Sequence, residues 1–242
     1  MISDRKLLPN PSILQMKQEK KKVAVVLSGC GVFDGTEIHE AVLSLLAVEE
    51  EGAIWHCFAP KMEQMHVIDH VTGEIVEEEK REVFTESARI ARGSEKLSDL
   101  AEYDPSEFDC LLFPGGFGGA KNLSDFAVKG TDGHVLDCVQ NAVRSTHALA
   151  KPIGFICITP ASVGALTLGG DGVILTIGND HETASAIERL GAKHQVCSVE
   201  DMVVDLDNKI VSTPAYMLGP NVKDVRTGIA KLVKQVLLMS QP

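Results

Sequence analysis

The stretch KPIGFICITPASVGAL, residues 151–166, sets Cys157 between an apolar strand-like run and a segment able to start a helix. A strand that turns sharply into a helix exposes its turning residue and brings helix-terminal N–H groups close to it. For a thiol, those unsatisfied dipoles favour the thiolate and lower the pKa. Gly154 permits close backbone approach before Cys157, and Pro160 suits a first helical turn, where an N–H is dispensable. The pattern is akin to the G-x-S-x-G nucleophile elbow, with cysteine as nucleophile and the downstream glycine absent. A small buried hydrophobe at a strand end looks the same in sequence, so this stretch alone leaves both readings open.

Two further segments carry residue types that a thiol nucleophile needs. PGGFGGAKN, residues 114–122, offers consecutive flexible N–H donors, suited to an oxyanion that forms when a thiolate attacks a carbonyl. A plain glycine-rich turn and a phosphate cradle are the alternatives. The chain has no G-x-x-x-x-G-K-[ST] and no G-x-G-x-x-G after its first strand, which weakens nucleotide binding. Candidate acids and bases come from DGTEIHEAV, where Glu37, His39 and Glu40 open a helix near the presumed site. Periodicity sets Glu40 away from the Ile38, Val42 and Leu45 stripe, so pattern alone makes it a solvated glutamate. His66 and His70 have i,i+4 spacing without a helix signal or a third ligand, so no metal site is expected.

The elements that must position these groups alternate between strand and helix. The apolar run 22–28 leads through a glycine-bearing loop into a helix over 36–52. A strand follows over 53–59 and another over 108–116. A helix over about 134–149 precedes PIGFIC, with a short helix from about 159 and a strand over 172–178. A helix over 182–192, a hairpin over 202–215 turning at Asp207-Asn208, and an amphipathic helix over 219–239 complete the chain. Continuous apolar strands separated by helices predict an α/β fold: a doubly wound, mostly parallel sheet covered on both faces. Such sheets hold their sites at the carboxyl ends of strands, near a reversal of strand order. The three informative loops all follow strands.

Composition narrows the function classes. The 242 residues suit one domain over 22–242, preceded by a loosely ordered extension over 1–21. The net charge of −11, with no basic face beyond KQEKKK, argues against nucleic acid and anionic lipid as partners. No run approaches the roughly 18 apolar residues of a membrane span. The six cysteines are scattered without C-x-x-C pairing, so reduced thiols and a cytoplasmic location are expected.

Taken together, SGCGVFDGTEIHEAV, PGGFGGAKNLSDFA, PIGFICITPA and IVSTPAYM closely resemble the ElbB (enhancing lycopene biosynthesis) family. That family sits in the PfpI and Parkinson-associated-deglycase superfamily of class I glutamine amidotransferase-like folds. The resemblance runs from about Lys22 to Leu238 and extends to eukaryotic mitochondrial relatives of the family. It implies a flavodoxin-like sandwich, a nucleophilic cysteine at the elbow and a homodimer. By motif position Cys157 takes the nucleophile's place and Glu40 that of the glutamate touching the thiol. Gly115 and Gly116 match a glycine pair that helps form the oxyanion hole, with the Ile158 amide alongside. The departures are specific. Ile158 stands where PfpI-type proteases carry histidine, STPAYM lacks the late His-x-Glu of glutamine amidotransferases, and LTIGNDHE offers only His181. The third catalytic group is therefore open, with Glu37, His39, Asn122 and His181 as accessory candidates.

The resemblance implies glutathione-independent glyoxalase-type chemistry on a small carbonyl substrate, without metal or organic cofactor and with a tie to isoprenoid metabolism. A redox-sensing protein built on the same cysteine is the alternative, and an amide hydrolase a distant third. Both leading readings expect the Cys157 pKa to be depressed.

Overall fold

The computed structural model describes residues 20–240. Most of the expected extension, residues 1–19, lies outside that range. Lys21 does not belong to an extension: its Nζ donates to Leu237 O at 2.8 Å and lies 2.7 Å from Ser240 Oγ.

The first strand, β1 (Lys22–Val26), runs into α1 (Ile38–Glu50), then β2 (Ile54–Ala59), α2 (Val83–Ala91) and β3 (Leu97–Asp99). The chain returns through β4 (Cys110–Phe113), the short helices α3 (Gly118–Lys121) and α4 (Phe126–Lys129), and α5 (Asp137–Ala148) to β5 (Ile153–Ile156). A π-helical turn (Pro160–Ala165), α6 (Leu166–Leu168), β6 (Ile174–Leu175), α7 (His181–Arg189) and β7 (Lys193–His194) follow. Last come β8 (Val203–Asp205), β9 (Ile210–Thr213) and α8 (Val222–Met239). The main sheet has seven strands in the order β3-β2-β1-β4-β5-β9-β8, parallel throughout except for the β8–β9 hairpin. This is the expected doubly wound α/β architecture. The order reverses between β1 and β4, which opens a crevice at their carboxyl ends.

The strands are apolar on both faces because helices cover both. Along β1, Val23 and Val25 join a core with Ala41 and Leu45 of α1, Ile90 of α2 and Ile229 and Leu232 of α8. Ala24 and Val26 join a second core with Val139 and Val143 of α5, Val163 of the π turn and Ile187 of α7. Burying each such Val, Leu or Ile fully is worth about 1.5–3 kcal/mol. Gly154 serves this packing. A Cβ there would lie 2.6 Å from Leu112 Cδ2 and 2.8 Å from Leu232 Cδ2, so its absence lets α8 settle onto β5.

The strand expected over 172–178 is a two-residue piece, β6, paired with β7 outside the main sheet. Side chains take the flanking amides: Ile174 N donates to Asp205 Oδ2 at 2.8 Å, and Thr176 N to Ser212 Oγ at 2.9 Å. With those donors bound to the hairpin's side chains, the segment does not extend the sheet as a ladder strand. The helix expected from 134 starts at Asp137, since Val135 forms a bridge with Ser124. Among the described residues no helix is long and apolar enough to cross a membrane.

Candidate active site

Three loops at the carboxyl ends of β1, β4 and β5 meet around Cys157. The cysteine has φ 64°, the left-handed region that non-glycine residues rarely occupy. Backbone and side-chain bonds hold it there. Cys157 N donates to Thr213 O at 3.0 Å on β9. The Thr159 hydroxyl accepts from Ile156 N at 2.9 Å and lies 2.9 Å from Phe113 O and 2.8 Å from Ile156 O. One side chain thus fastens the turn to itself and to β4. Pro160 takes the first position of the π turn, as its missing N–H allows.

Glu40 sits in the first turn of α1 and is wholly buried. The expectation of a solvated glutamate fails because two backbone amides await the carboxylate. Oε2 accepts from Gly115 N at 2.9 Å, and Oε1 from Tyr216 N at 3.1 Å. The carboxyl stands beside the Cys157 thiol. The contact is close because residue 115 has no side chain: a Cβ there would stand 2.5 Å from Glu40 Oε2 and 3.0 Å from Cys157 Sγ. The start of α1 and the β4 loop are stapled reciprocally, since Glu37 N donates to Gly115 O at 2.9 Å.

The electrostatics follow from burial. Burial is the largest influence on Glu40 and raises its pKa from 4.5 to about 8; the amides of Tyr216 and Gly115 pull it back, and Glu37 pushes it up. Burial also lifts the Cys157 thiol well above its ordinary value, with the Glu40 charge adding to the rise. The Gly116 and Ile158 amides act on the sulfur in the opposite sense, as the elbow argument requires, but they are outweighed. The expected depression of the thiol pKa is therefore corrected. The folded protein holds a protonated thiol beside an acid poised near neutrality.

The remaining sequence candidates divide by position. Gly116, with φ 98°, and Ile158 have amides that act to lower the thiol pKa, whereas the Gly115 amide is already given to Glu40 and is not free for an oxyanion. Glu37 is the N-cap of α1, its Oε2 accepting from Glu40 N at 2.7 Å. Asn122 ties loops together, donating to Ser28 O and Asp34 O at 2.9 and 2.8 Å and accepting from Met65 N. His181 opens α7 on the surface and takes no part in the bonds that hold the pair. His39 lies next to the site, with Nδ1 2.8 Å from the Tyr216 hydroxyl. Tyr216, Thr159 and Thr213 were not among the candidates. Tyr216 and Thr213 act through the backbone, which side-chain chemistry in a sequence does not reveal. Among the described residues no group of three or more His, Cys, Asp or Glu side chains could hold a metal ion, and all six cysteines are free.

No protein-family model matches the chain. It is 46% identical over 227 residues to the ES1 protein homolog, mitochondrial, of Rattus norvegicus, which covers 90% of this chain and 84% of the rat protein. It is 46% identical over 233 residues to the human glutamine amidotransferase-like class 1 domain-containing protein 3, mitochondrial, covering 93% and 85%. An isoprenoid biosynthesis protein with amidotransferase-like domain from Ehrlichia chaffeensis has the same fold, with TM-score 0.84 and 38% identity over 91% of this chain and all of that one. The mitochondrial names of the rat and human relatives overturn the expected cytoplasmic location. With that identity over nine-tenths of its length, the chain belongs to the ElbB/ES1 family of class I glutamine amidotransferase-like proteins.

Proposed function

We propose that the chain is a glutathione-independent, glyoxalase-type enzyme that converts small 2-oxoaldehydes, methylglyoxal and glyoxal, to 2-hydroxy acids through Cys157. The observation that carries this reading is the buried pair itself: a thiol at a strained turn, beside a carboxyl group whose proton affinity lies near physiological pH. A base is most useful when its pKa is close to the working pH.

The steps follow from the geometry. As the sulfur bonds to the aldehyde carbon, the thiol proton passes to the Glu40 carboxylate and the carbonyl π electrons move onto oxygen. The Gly116 and Ile158 amides, which act on the sulfur in the free protein, face the region where that oxyanion develops. The oxyanion then takes a proton and gives a hemithioacetal. Glu40, again ionised, removes the hydrogen on that carbon as a proton and returns it to the neighbouring carbon, while the hydroxyl proton passes from the first carbon's oxygen to the second's. The result is a 2-hydroxy thioester on Cys157. Water cleaves it, releasing the 2-hydroxy acid and restoring the thiol. The sum is aldehyde plus water, with no external oxidant or reductant.

The redox-sensing alternative uses the same thiol, and the raised thiol pKa runs against a resting thiolate in both readings; selective oxidation of Cys157 by peroxide with negligible carbonyl turnover favours the sensor. A mitochondrial location and a homodimer belong to the same proposal; the first is supported by the relatives' names, the second by family resemblance. A link with isoprenoid metabolism rests on the name of the Ehrlichia protein. The test is D- or L-lactate formation from methylglyoxal without glutathione, comparing the wild type with Cys157→Ala and Glu40→Gln. Absent turnover in the wild type, or unchanged turnover in both variants, overturns the proposal.

A further inference from the structure

The Tyr216 amide reaches Glu40 from an unfavourable backbone. Ala215, directly before it, is fully buried with φ 44°, a second non-glycine residue in the left-handed region at this site. Such a conformation costs on the order of 1–3 kcal/mol and persists only where its surroundings over-determine it. Something must hold residue 216 against the carboxylate.

The candidate is the side chain of Tyr216 itself. Its hydroxyl lies 2.8 Å from Nδ1 of His39, with the two rings 5.8 Å apart between centroids. His39 follows the N-cap of α1 by two residues and precedes Glu40 by one. The pair therefore joins the first turn of α1 to the segment after β9, across 177 residues of sequence. One end of this cross-link is the residue next to Glu40 and the other is Tyr216 itself, so it flanks the bond from Tyr216 N to Glu40 Oε1.

The geometry points to the His39–Tyr216 side-chain pair as a positioning device that keeps the Tyr216 amide on Glu40 and so sets how readily that carboxyl group ionises. Neither side chain need touch a substrate. The amide stabilises the charged carboxylate, so its departure favours the protonated acid and moves the Glu40 titration upward. The groups facing Glu40 are Cys157 from the elbow, Glu37 from the α1 cap and the amides of Gly115 and Tyr216. Of these, the Tyr216 amide belongs to the residue the pair holds, and Glu37 Oε1 also lies 4.0 Å from His39 Nδ1, a contact that Tyr216→Phe leaves in place.

The experiment reads the Glu40 carboxyl directly. Difference infrared spectra across a neutral-to-alkaline titration follow its protonated C=O stretch, assigned as the band missing from Glu40→Gln. In Tyr216→Phe and His39→Ala the midpoint is expected to rise by about half to one pH unit, the worth of one modest hydrogen bond. His39→Gln, which can still bond the tyrosine hydroxyl, is expected to restore the wild-type midpoint. A midpoint unmoved in both Tyr216→Phe and His39→Ala overturns the inference, as does an equal shift in His39→Gln. A wild type whose Glu40 does not titrate in this range also overturns it. The measurement needs no carbonyl turnover, so a protein without glyoxalase activity still decides it.

Discussion

Cys110 and Cys157 are two buried thiols on neighbouring strands, and only one of them forms a site. Cys110 lies within β4 in regular strand geometry, walled by the core below α1 and α8, and burial pushes its thiol far up. Cys157 is 8% exposed, and burial raises its thiol as well. The difference is in what surrounds the sulfur. At residue 157 the chain has turned out of the sheet, the Gly116 and Ile158 amides oppose the rise and an acid stands alongside. Reactivity here is a property of the neighbours, prepared for a charge that exists only during reaction.

That contrast can be broken most severely by removing each sulfur. Cys157→Ala is expected to lower lactate formation at least about a thousandfold. Cys110→Ala is expected to leave turnover within about twofold while destabilising the fold by about 1–2 kcal/mol, read by denaturant unfolding. Next in size is the acid. Glu40→Gln is expected to lose about 10²–10⁴ in kcat/KM, the range for a positioned general base.

The pH profile sharpens the comparison further. Wild-type kcat/KM is expected to rise with pH as Glu40 loses its proton around pH 8. The fold should respond in the opposite sense. Because the folded-state pKa lies above the ordinary 4.5, the unfolded chain ionises first, so this group's contribution to stability is full below pH 4.5 and is lost as pH climbs to about 8. The decline attributable to this group is on the order of a few kcal/mol, and unfolding curves of Glu40→Gln should lack it. A further effect, on stability, is expected at the fastening hydroxyl. Thr159→Val leaves the Ile156 amide and its neighbours short of a partner and should destabilise the protein by about 1–3 kcal/mol, with Thr159→Ser retaining most of the bond.

The fold was largely legible because its signals are local. Apolar runs such as 22–26 and 153–156 can only be strands covered on both faces, and the hairpin announces itself at Asp207-Asn208. The face of α1 was misjudged for a physical reason. Its outward side carries Ile38, Val42 and Leu46, exposed at 43, 48 and 42%, while Glu40 and Ser44 are buried. Hydrophobic periodicity assigns the apolar stripe to the interior, yet here amides after β4 and β9 make the interior hospitable to a carboxylate. Motif position identified Glu40 where periodicity did not. The segment between β2 and β4 went unread because α2 is flanked by charged turns and β3 is three residues long. At the site, the donors of Gly116, Ile158 and Tyr216 belong to the backbone, and any residue but proline supplies one.

Glu40 and the amide that steadies it are separated by 176 positions along the chain. A ribosome-bound fragment lacking β9 therefore carries the thiol and the acid without the arrangement that makes them work together. On the proposed reading such a nascent polypeptide holds an ordinary cysteine, and capacity for catalysis arrives only when synthesis has nearly finished and the last hairpin has docked.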